Sequence, residues 1–202
     1  NKYCKIFPNE EFMYKEYAVY QPLQRQGVLD AESIERLRTS SYFTSNSSIF
    51  NETDFEQLKE MNPRSAADEK KYQKYLAGQQ FVADVLTILE ANRSDLVFMD
   101  YSEFEKHLKS LLGKVEGMSA SRLTGIAMVL AVMDKTAVVQ KNRKGEIIKD
   151  TTTKDTEIIK LTQDPEQYFE AEVYPHVPDA IWTYEFDPEK KESATNKEKL
   201  GA

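Results

Sequence analysis

The hydrophobic period of this chain changes twice, and that pattern restricts the folds open to it more than any motif does. Residues 12–20, "FMYKEYAVY", are aromatic and β-branched, and Pro22 follows. Such a run fits a pleated strand whose pairing the proline ends. From Asp30 onward apolar residues fall three and four apart, the spacing of one helix face. After residue 135 the β-type pattern returns in "TAVVQKNRKGEIIKD" and "KDTEIIKL". Strands at the two ends pair with each other if the helical stretch between them is an insertion. The expected fold class is therefore α+β, helix-dominated, with a small antiparallel β-sheet formed by the N-terminal strand and the strands after residue 135. The expected organisation is an N-terminal strand segment (1–29), a helical block (30–135), a hairpin, strand and helix completing the sheet layer (136–186), and a charged linker or tail (187–202).

Local signals place the elements. Asp30 stands as N-cap of "AESIERLR", with Ile34 and Leu37 on one face. "TSSYFTSNSSIFNETD" reads as a polar loop pinned by Phe43, Ile49 and Phe50. The longest helix follows Ser65, its apolar face running through Tyr72, Tyr75, Leu76, Val82, Val85, Leu86 and Leu89. "DYSEFEKHLKSLLGK" predicts a shorter amphipathic helix through Phe104, Leu108 and Leu112. "SRLTGIAMVLAVMD" is apolar almost all round and predicts the central buried helix. Gly145 supplies the positive φ of a hairpin turn. In "DPEQYFEAEVY" Asp164 caps a helix and Pro165 sits at its first position, where the missing N–H costs nothing.

Composition narrows the function classes. The longest apolar run, "IAMVLAVM", falls well short of the ~20 residues that span a membrane. A net charge of −7 argues against an autonomous nucleic-acid binder, which needs clustered Lys and Arg. Cys4 is the single cysteine, so no disulfide framework exists, and a reducing, cytoplasmic compartment is expected. Asn46, Asn51 and Asn92 stand in glycosylation-type triplets, which a stretch rich in Asn, Ser and Thr also generates by chance. The chain opens on Asn1, as a processed chain or an excised piece of a longer protein would.

Residues that could carry catalysis are few. Cys4, His107 and His176 show no metal-ligand spacing, and His107 is expected on the solvated side of its helix. There is no phosphate-cradling glycine loop, no nucleophile elbow and no dinucleotide fingerprint. "EIIK" occurs at 146–149 and again at 157–160. An acid and a lysine three apart on a strand point to opposite faces, so a nuclease pairing fails without a bulge. "EVYPHVPDAIW" has more shape. Pro175 ends the preceding helix, Pro178 holds Val177 extended, and His176 is fixed between them. Asp179 can accept from His176 or cap the next turn, and Trp182 is large enough to pin the segment to a core or a partner. With no nucleophile beside it, the segment reads as a rigid joint toward a partner. A second candidate surface is the hairpin tip, where Lys141, Arg143 and Lys144 could contact DNA.

Two stretches carry a resemblance. "IFPNEEFMYKEYAVYQPL" (6–23) resembles the "F-x-N-E-x-F-x-Y-x-x-x-x-V-x-x-P-L" segment of the modification (M) subunits of type I restriction–modification systems, the N6-adenine DNA methyltransferases. Asn9, Glu10, Phe12, Tyr14, Val19, Pro22 and Leu23 match it. "KDTEIIKLTQDPEQYFEAEVYPHVPDA" (154–180) is similar to a later segment of the same subunits, in which a "D-T-E" strand leads through an acidic helix into "E-V-x-P-H-V-P-D-A". Asp155, Thr156, Glu157, Tyr168, Glu172, Val173, Pro175, His176, Val177, Pro178, Asp179 and Ala180 match it. The family's S-adenosylmethionine loop and its "N-P-P-[FY]" catalytic motif lie N-terminal to the region resembled and do not occur here.

The resemblance implies a C-terminal region downstream of the catalytic domain, non-catalytic, serving as scaffold and interaction surface. It implies no cofactor in this stretch and S-adenosylmethionine in the parent enzyme. The implied partners are the specificity and restriction subunits, with DNA reached through the complex and no membrane. Two other classes stand beside it: an autonomous DNA-contacting module using the hairpin tip, and a secreted binding domain motivated by the Asn triplets.

Overall fold

The computed structural model describes Phe7, residues 13–184 and the backbone of Lys199–Leu200. The fold is α+β, as the change of period requires. Cys4, Asn9, Glu10 and Phe12 lie outside the described residues, as does the tail 187–202 apart from Lys199–Leu200. The chain forms two compact units. One combines its two ends, Asn1–Leu23 and Lys141–Ala202; the other is the continuous stretch Gln24–Gln140. The end unit opens with β1 (Met13–Pro22), a strand of aromatic and β-branched residues that runs to the proline.

The inserted unit starts with β2 (Arg25–Leu29) and α1 (Ala31–Thr39), whose cap Asp30 accepts from the Ser33 N–H at 2.8 Å. The stretch expected as a loop is more ordered. It holds α2 (Ser41–Thr44), the two-residue strands β3 (Ser45–Asn46) and β4 (Phe50–Asn51), and then α3 (Glu52–Glu60). Its anchors Phe43 and Ile49 are fully buried. The long helix α4 (Ala66–Ala91) follows, capped by Ser65, then β5 (Ser94–Phe98), α5 (Tyr101–Leu112), α6 (Ala120–Leu130) and β6 (Ala131–Met133).

One core joins these helices. Ile34 and Leu37 from α1, Val85 and Leu89 from α4, Phe104, Leu108 and Leu112 from α5, and Ile126 and Leu130 from α6 are sealed together. Each such side chain contributes about 1.5–3 kcal/mol by leaving water. Strand β2 runs beside this core, and its Gly27 lies directly against the Phe104 ring, where a Cβ would overlap. The apolar run 126–133 does not continue as one helix. It breaks at Leu130 because the next three residues pair with β2 in a sheet of order β5–β2–β6. Met128 is half exposed, so α6 is buried on one side only.

The end unit resumes with a turn expected as a full hairpin. Its arms are joined by the isolated bridge Lys141↔Ile147 rather than by long strands, and Gly145 takes φ +83° at the bend. Strand β7 (Lys149–Lys160) then pairs antiparallel with β1. The capped turn α7 (Pro165–Tyr168) passes into a π turn, Phe169–Val173, and the chain returns as β8 (Ile181–Tyr184) on the other side of β1. The backbone of β9 (Lys199–Leu200) pairs with the start of β1. Tyr17, Val19 and Ile159 from the sheet close on Phe169 and Val173.

Candidate functional site

The segment 172–182 is built from the backbone outward. Pro175 has no N–H to donate and cannot extend a helix, and the turn before it widens: the Tyr174 N–H reaches back five residues to the Phe169 carbonyl at 2.9 Å. The next two amides converge on one acceptor, His176 N–H and Val177 N–H both meeting the Val173 carbonyl at 3.0 and 2.9 Å. Ala180 N–H donates to the Val177 carbonyl at 3.1 Å and the chain enters β8. The two prolines thus bracket a reversal whose direction the backbone fixes.

Trp182 clamps that reversal to the sheet. Its ring lies parallel to Phe169 (4.8 Å between centroids, 4° between planes) and meets Tyr17 edge-on at 5.4 Å. Its Nε1–H donates to the Tyr174 hydroxyl at 3.2 Å. Trp182 therefore faces its own unit. Pro175, His176, Pro178 and Asp179 are exposed on the outer side. His176 and Asp179 make no side-chain hydrogen bond among the described residues, so the His–Asp contact that the sequence allowed is absent there.

Behind His176 lies a pocket of about 240 Å³. Val19, Gln21, Thr153, Asp155 and Glu157 line it from the sheet, and Glu172, His176 and Val177 from the turn. A bulge shapes it. Between Val19↔Asp155 and Gln21↔Asp150, β1 advances two residues while β7 advances five. The buried Asp150 holds the extra residues: its carboxylate accepts from Thr152 N–H at 3.0 Å and from the Thr152 hydroxyl at 2.7 Å. The Thr153 hydroxyl donates to the Asp150 carbonyl at 2.8 Å and accepts from Gln21 N–H at 2.9 Å. Glu157 accepts from the Tyr168 hydroxyl at 2.8 Å, which raises the Tyr168 pKa. With Asp155, Glu157 and Glu172 on the rim and the Thr153 hydroxyl committed to the backbone, the pocket offers acceptors and no activated nucleophile. Among the described residues no three His, Cys, Asp or Glu side chains are placed to hold a metal ion.

The two "EIIK" stretches behave differently. In β7 the register is regular from Glu157 to Lys160, opposite Tyr17 and Tyr14, so Glu157 and Lys160 occupy opposite faces. Glu146 instead belongs to the hairpin tip, and Lys149 Nζ lies 5.1 Å from the Tyr20 ring centroid. Lys141, Arg143 and Lys144 are all exposed at that tip. His107 is only half exposed; it stacks on Phe98 at 5.0 Å instead of standing in solvent.

Sequence reading missed Asp150, the Tyr168–Glu157 bond and the role of Tyr174. The run "DTTT" carried a usable signal, since Asp followed by Thr at two and three residues favours side-chain-to-backbone turns over a plain ladder. Compared with known proteins, the chain matches no family model, no curated protein and no solved structure.

Proposed function

We propose that this chain is a non-catalytic framework and interaction region of a type I restriction–modification methyltransferase (M) subunit, acting in the cytoplasm. The supporting observation is where the two resembling stretches meet. They are far apart in sequence, yet β1 from the first lies beside β7 from the second, and Val19, Glu157, Tyr168 and Val173 share one small core and its adjoining pocket. Tyr17, Ile159 and Phe169 complete that core from positions outside the two patterns. The outward face of the turn, Pro175, His176, Pro178 and Asp179, is the surface offered to the specificity and restriction subunits. No helix among the described residues is long and apolar enough to cross a membrane.

The parent's S-adenosylmethionine does not fit these residues. Cradles for such nucleosides form where a parallel strand turns through glycines into a helix. The strands described here pair antiparallel, and Gly27, Gly78 and Gly125 are packed against Phe104, the Ile49 carbonyl and Tyr42. The reading therefore assigns no methyl-transfer step to this chain. Co-elution with a purified type I specificity subunit, together with no heat on titration with S-adenosylmethionine, is the expected result. Saturable binding of S-adenosylmethionine by this chain would overturn the reading.

A further inference from the structure

We propose that the hairpin tip of Lys141, Arg143 and Lys144 is a preformed contact for the phosphate backbone of duplex DNA. The tip is built around Asn142. Its Oδ1 accepts from the Lys144 and Glu146 amides at 2.8 and 3.1 Å, its Nδ2 donates to Glu146 Oε2 at 2.7 Å, and its own N–H donates to the Glu146 carbonyl at 2.8 Å. Gly145 closes the bend through a donor bond to the Asn142 carbonyl at 2.9 Å. The loop is thus ordered by its own bonds, and the three cationic side chains take no part in holding it. None of them pairs with a carboxylate among the described residues. The one acid in the tip, Glu146, is turned onto Asn142.

Three unpaired cations on a braced loop, in a chain of net charge −7, form a local feature and not a general property of the surface. The chemistry favours phosphate over a protein partner. Residues 141–146, "KNRKGE", include no apolar side chain, whereas protein interfaces draw their affinity from buried aromatic and aliphatic anchors and exclude lysine from their centres. Phosphate contacts need only exposed Lys and Arg held in place, and a short exposed bend meets that need. The inference is independent of the framework reading and concerns a different surface from the Pro175–Asp179 turn.

The test is fluorescence anisotropy of a labelled duplex of about 20 base pairs titrated with the whole chain, from about 50 to 200 mM salt. Each phosphate contact contributes about 0.9 to the slope of log affinity against log salt. Replacing Lys141, Arg143 and Lys144 together by Gln is expected to lower that slope by about two to three and to weaken binding at least about tenfold at the lower salt. Replacing the exposed Lys70, Lys106 and Lys114 by Gln makes the same change in net charge and is expected to leave both unchanged. Asn142→Ala keeps every charge and is expected to weaken binding several-fold. Equal losses in the two triple variants, no DNA binding by the unaltered chain, or preference for a polyglutamate peptide over the duplex would each overturn the proposal. Subunit binding measured in parallel separates this failure from failure of the framework reading.

Discussion

Trp182 and His176 sit six residues apart and do opposite things. Trp182 is stacked on Phe169 and bonded to Tyr174, so it braces the turn from inside. Trp182→Ala is expected to destabilise the end unit by about 3 kcal/mol, the low end for a large aromatic that is half buried. Trp182→Phe keeps most of the stack, loses the bond to Tyr174, and is expected to cost about 1 kcal/mol. Urea titrations followed by circular dichroism measure both; equal effects would mean that ring packing contributes little. His176 is exposed and holds no side-chain bond among the described residues, so His176→Ala is expected to shift stability by less than about 0.5 kcal/mol. The sequence showed the prolines and the tryptophan plainly, because each constrains the backbone or volume by its own chemistry. It did not show that Trp182 faces inward, since that depends on Phe169 and Tyr17 arriving from elsewhere in the chain. The triplet asparagines make local bonds at the same scale: Asn51 caps α3 through a 3.0 Å bond from Asp54 N–H, Asn46 accepts from Ser48 N–H and its hydroxyl, and Asn92 Nδ2 donates to the Ile88 carbonyl.

Among the elements, β7 depends on its bulge. Asp150→Ala removes the acceptor for both Thr152 donors in a buried setting and is expected to cost about 2 kcal/mol. Faster hydrogen exchange at Gln21 and Thr152 should accompany it, and unchanged exchange there would show that the bulge does not need the carboxylate. In α5 the Tyr101 hydroxyl is pushed up to about 12, first by burial and then by the neighbouring Glu105. The folded state keeps the proton after the unfolded chain has lost it, so this contribution is intact below about pH 10 and is lost as pH rises toward about 12. The expected loss is at most about 1.4 kcal/mol per pH unit in that window. Urea midpoints at about pH 9 and about pH 11 test it, because Tyr101→Phe should flatten the alkaline fall. An equally steep fall in that variant would place the effect on another group. The helices were legible because their apolar faces repeat and their caps are explicit. Strands β2, β5 and β6 were not: β5 is exposed through most of its length and so has no alternation, and β6 continues an apolar run that reads as helix.

For the whole molecule, the end unit assembles from both ends of the chain, and a strand pattern that stops and resumes is the sequence feature that accompanies it. The inserted unit runs from Gln24, and its β2 pairs with β5 and β6. Charge is also divided along the end unit. Cations gather at 141–149, and the pocket beside His176 carries Asp155, Glu157 and Glu172. Two surfaces of opposite character suit a body that meets more than one partner, and the proposed framework role rests on the turn being one of them. The most direct measurement is calorimetric titration of the whole chain, and of a His176→Ala/Asp179→Ala variant, with purified type I specificity and restriction subunits. Because these two side chains are exposed and unbonded among the described residues, the variant should fold as stably as the unaltered chain. Binding to at least one subunit, weakened about tenfold or more (~1.4 kcal/mol) in the variant, is the result predicted. No binding to either subunit by the folded chain, or binding that the variant leaves unchanged, would contradict the account.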